Sequence, residues 1–554
     1  MTVIMLSASL CAGTTRLSGR SSMSTGYENG ARSGMKAASD EKTMRRTAGS
    51  KSVRQRLVPL VPVGLALIAA IGYAAVSIYR HDRFASSAFD LGVQDQTVWG
   101  YSQLQMIPNT VEMIPNLLGD HFHPILMTVA PLYWIWDDAR VLFLVQAVLL
   151  AAAAVPIFWW ARQRLGLLPA IAVETAYLTY WGVLSGVVYD FHHIAFAVPA
   201  ISFGLYAVLT KRNWLFWPML ALGLLARENI ALTFAAIGVY IAVVQHRWRL
   251  GAAVIALCAA WFAALIEVVM PAIAGVPYGH WTYDALGTGP GSALWHIVRH
   301  PISSLRLLAD NPTKLKLWGG LLGAWLLLPL LSPISLVAIP TLLERLWSSN
   351  PALWSASFHY SLVIAPILAF ASIDGIARLQ QAIPRRISPS PSGERHGTSP
   401  SPSGGGQAGG VAVGASVAVL AAGLILTFGV VRPLDEVSTY ISARQVADIQ
   451  SCLTVIPEEA SVSASNSLLP HLSHRRQIYL LSVKDDADYV AIDLAAYLGH
   501  FFAGEQDQIR ATITDSLANG YGVACSQGTT VVLHRGSNNG GLSPELSTFV
   551  GQAP

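Results

Sequence analysis

The chain has 554 residues, 53% of them hydrophobic and 12% charged, with a net charge of +4 and a mean hydropathy of +0.46. A soluble domain averages about 25% charged residues, so half that share over this length excludes a solvated globular enzyme and a disordered protein. The weak charge, with no basic stripe, argues against a nucleic-acid partner. Sixteen Trp and the scarcity of charge point to many membrane-spanning helices with aromatic belts, and four Cys exclude a disulfide scaffold.

Residues 1–56 form a polar tail with ten Lys or Arg, from Arg16 to Arg56, too poor in apolar area to order itself. The apolar run Leu57–Tyr79 can span, and no small-residue cleavage site follows it, so it reads as an uncleaved anchor. The basic tail puts the N-terminus in the cytoplasm. Roughly eleven spans follow from the hydropathy pattern: 57–79, 139–161, 167–188, 193–210, 213–227, 229–246, 250–271, 315–331, 333–347, 359–376 and 411–431. The basic turns Arg162–Arg164, Lys211–Arg212, His246–Arg249 and Arg378–Arg386 fall on one side with the tail. Acids and histidines collect on the other, in outer loops 80–138 and 272–312. His123–Trp136 is apolar but holds two prolines and is too short to span, so it reads as a helix lying in the interface.

The fold expected is therefore an all-α polytopic membrane protein over 57–380, a Ser/Pro/Gly-rich cytoplasmic linker over 381–410 and a last span over 411–432. The linker repeats the hexamer SPSPSG. Residues 433–554 change character, with strands expected at Val462–Ser465, Gln477–Leu481, Tyr489–Leu494 and Val523–His534 and helices at Glu436–Leu453 and Glu505–Leu517. That pattern is a small extracytoplasmic α/β domain with a flexible C-terminal tail. Cys452 and Cys525 both lie in it, either as a disulfide or as two buried thiols.

Ionisable residues at membrane depth are costly, so their clusters mark candidate chemistry. FDLGVQDQ carries Asp90 and Asp95, GDHFHP carries Asp120, His121 and His123, and YDFHH carries Tyr189, Asp190, His192 and His193. Arg227, Glu228 and Asn229 stand between two short apolar runs, Glu344 and Arg345 end another, and His359 and Tyr360 open the next. The topology puts all of them within reach of one outward-facing cavity. Asp90 is the candidate general base, with Asp95 as alternative. An Asp before an apolar run is equally a helix N-cap, here for a helix from Leu91. Arg227 and Arg345 can clamp a phosphate through paired donors, or pair structurally with Glu228 and Glu344. Asp120, His121 and His123 can ligate a metal, but i and i+2 do not share a helical face and no CxxC or HExxH supports it, so no metal or other cofactor is expected. No Walker loop or GxSxG is present.

These residues, in FDLGVQDQ, GDHFHP with PLYWIW, LLARENIAL and FHYSLVIAP, resemble a bacterial polytopic membrane family known only as a domain of unknown function. That family is similar to the GT-C superfamily of integral-membrane glycosyltransferases. The resemblance covers roughly 60–380 and extends through PHLSHR (Pro470–Arg476) into the outer domain. It implies a polyprenyl-phosphate-linked sugar as donor, an envelope glycan, lipid or protein as acceptor, and surrounding membrane lipids as partners. It implies a bacterial inner-membrane location, Asp90 as base, and Arg227 and Arg345 at the donor phosphate. The first loop lacks the Asp-x-Asp of metal-using members, which favours a metal-free route. The alternative reading is a non-catalytic transporter or envelope-assembly factor. The asymmetric outer loops and the appended domain argue against it, since transporters are built from matching halves. His471 and His474 of PHLSHR fit a loop docking onto the membrane domain.

Overall fold

The computed structural model describes residues 58–382, 405–435, 441–481, 486–494, 505–537 and 540–551. The expected tail 1–56 and residues 383–404 of the expected linker lie outside them. The chain divides after Leu60. Val58–Leu60 is one 3-10 turn, and everything below concerns the unit from Val61 onward.

That unit is mostly helical. Among the described residues, six helices are long and apolar enough to cross a membrane: the one ending at His81, then Arg140–Leu165, Leu167–Val188, Trp248–Ala274, His359–Ala382 and Gly409–Val431. Four shorter apolar helices accompany them, Pro124–Tyr133, His193–Leu209, Asn213–Leu224 and Ile230–Val243. Arg162 and Arg164 occupy the last turn of one long helix, where cations complement the helix dipole. Gly166, at φ 101, then reverses the chain into Leu167. Large side chains such as Phe143, Phe158, Tyr177 and Trp181 are fully buried between the helices.

The expected spans 315–331 and 333–347 do not form continuous helices. Pro312–Gly323 ends, Leu326 and Leu327 turn left-handed (φ 52 and 59), and three short pieces follow: Leu328–Leu331, Pro333–Ala338 and Ile339–Trp347. Pro329, Pro333 and Pro340 each lack the N–H that would continue a helix. Asn213–Leu224 has 12 residues, which reaches about 18 Å at 1.5 Å per residue, short of a bilayer core of about 30 Å. A count of eleven spans is thus not what the helix lengths support, while the polytopic helical architecture is.

Within 441–551 the described residues build a five-stranded sheet in the order β2-β1-β3-β5-β4. The strands are β1 Val462–Ala464, β2 Ile478–Leu480, β3 Tyr489–Asp493, β4 Tyr521–Gln527 and β5 Thr530–Arg535. The first three pair in parallel, and β3, β5 and β4 pair antiparallel. The expected strand Val523–His534 is in fact the β4–β5 hairpin. Its apolar run is long enough for two strands, and the Gly528 turn divides it. Among described residues the helix expected from Glu436 begins at Ala443, with Ser442 and Gln445 forming a capping box. Residues 436–440 lie outside the description.

One apolar cluster joins this domain to the first loop. Phe84, Val93 and Val111 of the loop share it with Val462, Leu469 and Ile478 of the domain. A disulfide, Cys452–Cys525, ties the helix Ala443–Leu453 to β4 across 73 positions, with Cα atoms 5.3 Å apart. Closing a loop of that length in the unfolded chain stabilises by about 4 kcal/mol. Replacing both cysteines by Ala should therefore accelerate hydrogen exchange throughout the five strands of the intact protein. Exchange unchanged from the parent would show that the bridge adds nothing to stability.

Candidate functional site

The first loop is held at its entry by charge. Arg80, in the last turn of Val61–His81, donates to Asp190 Oδ1 at 3.3 Å and to the Ala85 carbonyl at 2.9 Å. Asp190 Oδ2 accepts the Ser87 N–H at 2.5 Å, and Asn466 Oδ1 accepts the Ala88 N–H at 2.8 Å. Asp190 and Asn466 thus satisfy the amides at the start of the helical stretch 88–102. The N-cap reading of Asp90 is corrected accordingly. The stretch opens at Ala88 as a wide π turn through Gly92, and Asp90 lies inside it. Wide turns of this kind recur at functional sites because they push a side chain out of helical register.

Asp90 is half-buried and accepts a hydrogen bond from the Tyr189 hydroxyl at 2.8 Å. Burial pushes its carboxyl up to about 7, and the nearby Asp190 charge adds to the rise, while the Tyr189 hydrogen bond opposes it. Around it stand Tyr189, His192 and His359, the two imidazoles stacked with centroids 3.7 Å apart. The helix Trp181–Val188 can bring this group close because Gly186 has no side chain. A Cβ there would meet Leu362 at 2.7 Å, just beyond His359–Ser361.

From His192 a run of rings leads across the face. His193 lies 4.2 Å from His192, His123 lies 4.4 Å from His193, and His121 lies 5.9 Å from His193. The ring nitrogens of His123, His193 and His359 have no hydrogen-bond partner among the described residues. Glu228, almost fully buried, then fixes the loop GDHFHP by accepting from His121 Nδ1 at 2.8 Å and from the Phe122 N–H at 3.1 Å. Those bonds and the neighbouring Arg227 outweigh burial and hold its carboxyl well below the usual range. Arg227 donates from Nη2 to His121 Nε2 at 2.9 Å, and its Nε has no hydrogen-bond partner among the described residues. One polar run thus reaches from the Asp90–His192–His359 group through His193 and His121 to Arg227. Asp120, half-buried at its edge, pairs with His280 at 2.8 Å.

Arg345 stands apart. It is buried, and it donates to the Leu353 carbonyl (2.8 Å), the Ser361 hydroxyl (3.0 Å) and the Ser355 carbonyl (3.2 Å). Its donors hold the segment 353–361, while Glu344 accepts from Asn229 at 2.6 Å. Asp95 stands apart as well. Five positions beyond Asp90, it sits roughly 140° around the helix axis. Fully buried, it accepts from Tyr133 and Ser473 hydroxyls, both at 2.5 Å, and pairs with His474 at 3.0 Å. PHLSHR is the docking loop expected. His471 also stacks on His81 with centroids 4.0 Å apart. A cavity of about 560 Å3 opens beside this contact, lined by Asp95, Trp99, Asp137, Arg140 and His474 among others.

Two groups combine a carboxylate with two imidazoles whose ligand atoms lie within 4.8 Å of one another, Asp90–His192–His359 and Asp120–His121–His280. His280 and Asn466 lie outside every motif that the sequence marks. His280 sits alone after Tyr278-Gly279 in the long loop 272–312, and an isolated histidine on the acidic side was its only signal.

The docking contact carries its own pH dependence. Burial alone would lower His474, but the Asp95 charge and hydrogen bond, with Asp137 on the other ring nitrogen at 3.0 Å, lift it to about 8. Burial likewise pushes Asp95 up, and His474, Ser473 and Tyr133 more than reverse it. A histidine raised above its unfolded value of about 6.5 contributes stability that is complete below that pH and is lost as pH rises through about 8. Hydrogen exchange at 470–476 and 93–102, corrected for intrinsic rate, should accelerate above pH 8, and His474→Gln should remove that step. A step that survives in H474Q would assign it to another group.

The chain has been compared with known proteins. No curated protein matches it. Among solved structures, the crystal structure of ArnT from Cupriavidus metallidurans bound to undecaprenyl phosphate is 14% identical, with 86% of this chain and 97% of that one covered and a TM-score of 0.48. The apo form of the same protein is 14% identical at a TM-score of 0.48, with 88% and 100% covered. The model of one family, described as predicted membrane protein (DUF2079), matches residues 80–531. That match takes in the first loop, the histidine run, Arg227 and the docking loop alike, and the chain belongs to the DUF2079 family of membrane proteins.

Proposed function

We propose that the protein is an integral-membrane glycosyltransferase that moves a sugar from a polyprenyl-phosphate donor to a cell-envelope acceptor on the extracytoplasmic face. The observation that carries this reading is a half-buried carboxylate raised to about 7, Asp90, joined by one run of rings to a guanidinium, Arg227, whose Nε makes no hydrogen bond among the described residues and lies 3.7 Å from Glu228. A carboxylate of that basicity suits removal of a proton from an acceptor hydroxyl near neutral pH. Tyr189 orients it by donating to Oδ2.

In this reading the acceptor oxygen attacks the anomeric carbon from the face opposite the phosphate, and its proton passes to Asp90. The bond between the anomeric carbon and the phosphate oxygen breaks, and polyprenyl phosphate leaves with the electron pair. Arg227 stabilises the charge that builds on that oxygen. An activated phosphate leaving group asks little beyond a base and an anion clamp, and the partly dry surroundings strengthen both. Arg345 is left out of the chemistry because its donors are occupied by protein acceptors.

Asp90→Asn should lower sugar transfer from a polyprenyl-phosphate donor, assayed in membranes, by about 100-fold to 10,000-fold, the usual contribution of a general base. Full transfer by D90N would remove Asp90 from the mechanism. The base is active only when ionised, so transfer by the parent protein should fall as pH drops through 7 and level off above it. Arg227→Ala should cost about ten- to a hundredfold in kcat/KM for the donor, the range of a lost charge-assisted hydrogen bond. R345A should act chiefly on folding of 353–361, visible in proteolysis.

A further inference from the structure

The second carboxylate–imidazole group has the composition and spacing of a metal site. Asp120, His121 and His280 come from two loops that meet only in three dimensions, and their candidate ligand atoms all lie within 4.8 Å of one another. His280 Nε2 is 2.8 Å from Asp120 Oδ1, and the His121 and His280 rings stack at 4.3 Å with 17° between their planes. His121 is prepared for ligation by its outer neighbour. Its Nδ1 donates to Glu228 Oε1, and that carboxylate is itself held by the Phe122 N–H. The bond fixes the tautomer and leaves the Nε2 lone pair directed into the group, the arrangement in which a carboxylate supports a metal-bound histidine. What meets the lone pair in this structure is Arg227 Nη2, a donor a cation would displace. Asp120 and Glu228 bring two negative charges against the one positive charge of Arg227, so a dication is electrically welcome. The group is also reachable, with Asp120 and His280 side chains 30% and 40% exposed.

We propose that Asp120, His121 and His280 form a divalent-metal site of zinc-type chemistry, with Glu228 supporting His121 from outside. Two imidazoles and one carboxylate are ligands zinc accepts, and three protein ligands leave a fourth position open. The ligand atoms lie within 4.8 Å of one another, and His280 Nε2 and Asp120 Oδ1 at 2.8 Å, so small side-chain rotations bring them to the spacing of about 3.4 Å set by bonds near 2.0–2.1 Å. The open position lies beside Arg227, so the ion and the freed guanidinium present two positive groups to an anionic oxygen. The site fastens the 272–312 loop to the GDHFHP loop whatever the chemistry at Asp90.

The test is metal content of the full-length protein in nanodiscs, read by elemental analysis after dialysis, together with cobalt(II) titration of the chelator-stripped protein followed by visible absorption. One zinc per chain is expected in the parent, with the cobalt spectrum of a low-coordinate nitrogen–oxygen site. His280→Ala and Asp120→Asn should each weaken cobalt binding by at least tenfold, and Glu228→Gln should weaken it about 10- to 100-fold, as outer-neighbour losses do. His534→Ala, on β5, should bind as the parent does. D90N should keep its full zinc load, so loss of sugar transfer and loss of metal are separable. A parent protein that holds no metal and gives no cobalt spectrum overturns the proposal. So does unchanged binding in H280A and D120N, and so does loss of metal in D90N with retention in H280A, which would move the ion to Asp90, His192 and His359.

Discussion

Everything at the polar end of this protein follows from how residues 88–102 are gripped. A short helical stretch cannot hold two carboxylates away from water unless each finds partners, because a buried charge without them costs several kcal/mol. Asp95 is satisfied by Tyr133, Ser473 and His474, and the opening amides of the stretch are satisfied by Asp190 and Asn466. Gripped at one end by the apolar bundle and along one side by the C-terminal domain, the stretch has its remaining carboxylate, Asp90, turned toward Tyr189 and the histidines. The candidate base is thus placed by bonds made elsewhere along the stretch and oriented by the one it accepts from Tyr189.

The same economy separates residues that look alike. Arg227 and Arg345 each sit beside a glutamate in a mostly apolar context. One has donors consumed by Leu353, Ser355 and Ser361, and the other faces an imidazole lone pair with Nε unfilled. Guanidinium chemistry is identical in both. What differs is whether backbone carbonyls surround it, and that makes Arg345 a strut and leaves Arg227 as the proposed anion clamp.

Much of this was legible in the chain itself. Hydropathy picked out the six long helices, because a bilayer-length apolar run declares itself locally. Strand placement in the C-terminal domain followed from short apolar runs, and PHLSHR docks as expected, through Ser473 and His474 on Asp95. Failures came where the deciding contact is distant. The cap alternative for Asp90 gives way because the groups that satisfy the opening amides come from 103 and 378 positions away. His280 reaches Asp120 across 160 positions, and no local pattern announces such a meeting. The broken helices of 315–347 failed for a different reason, since their hydropathy suits a span and only the prolines and two left-handed leucines deny it.

The apolar cluster shared by the first loop and the C-terminal domain has a consequence for synthesis. Phe84, Val93 and Val111 are made early, and Val462, Leu469 and Ile478 that cover them are made nearly four hundred residues later. At a ribosomal pace of about 5–20 residues per second, the early surface waits tens of seconds for its cover. Over that interval the growing protein carries a naked oily patch and an Asp95 with Tyr133 but without Ser473 and His474. A premature stop anywhere before Ser473 would make that transient condition permanent, leaving a product that is inserted yet marked for quality-control proteolysis.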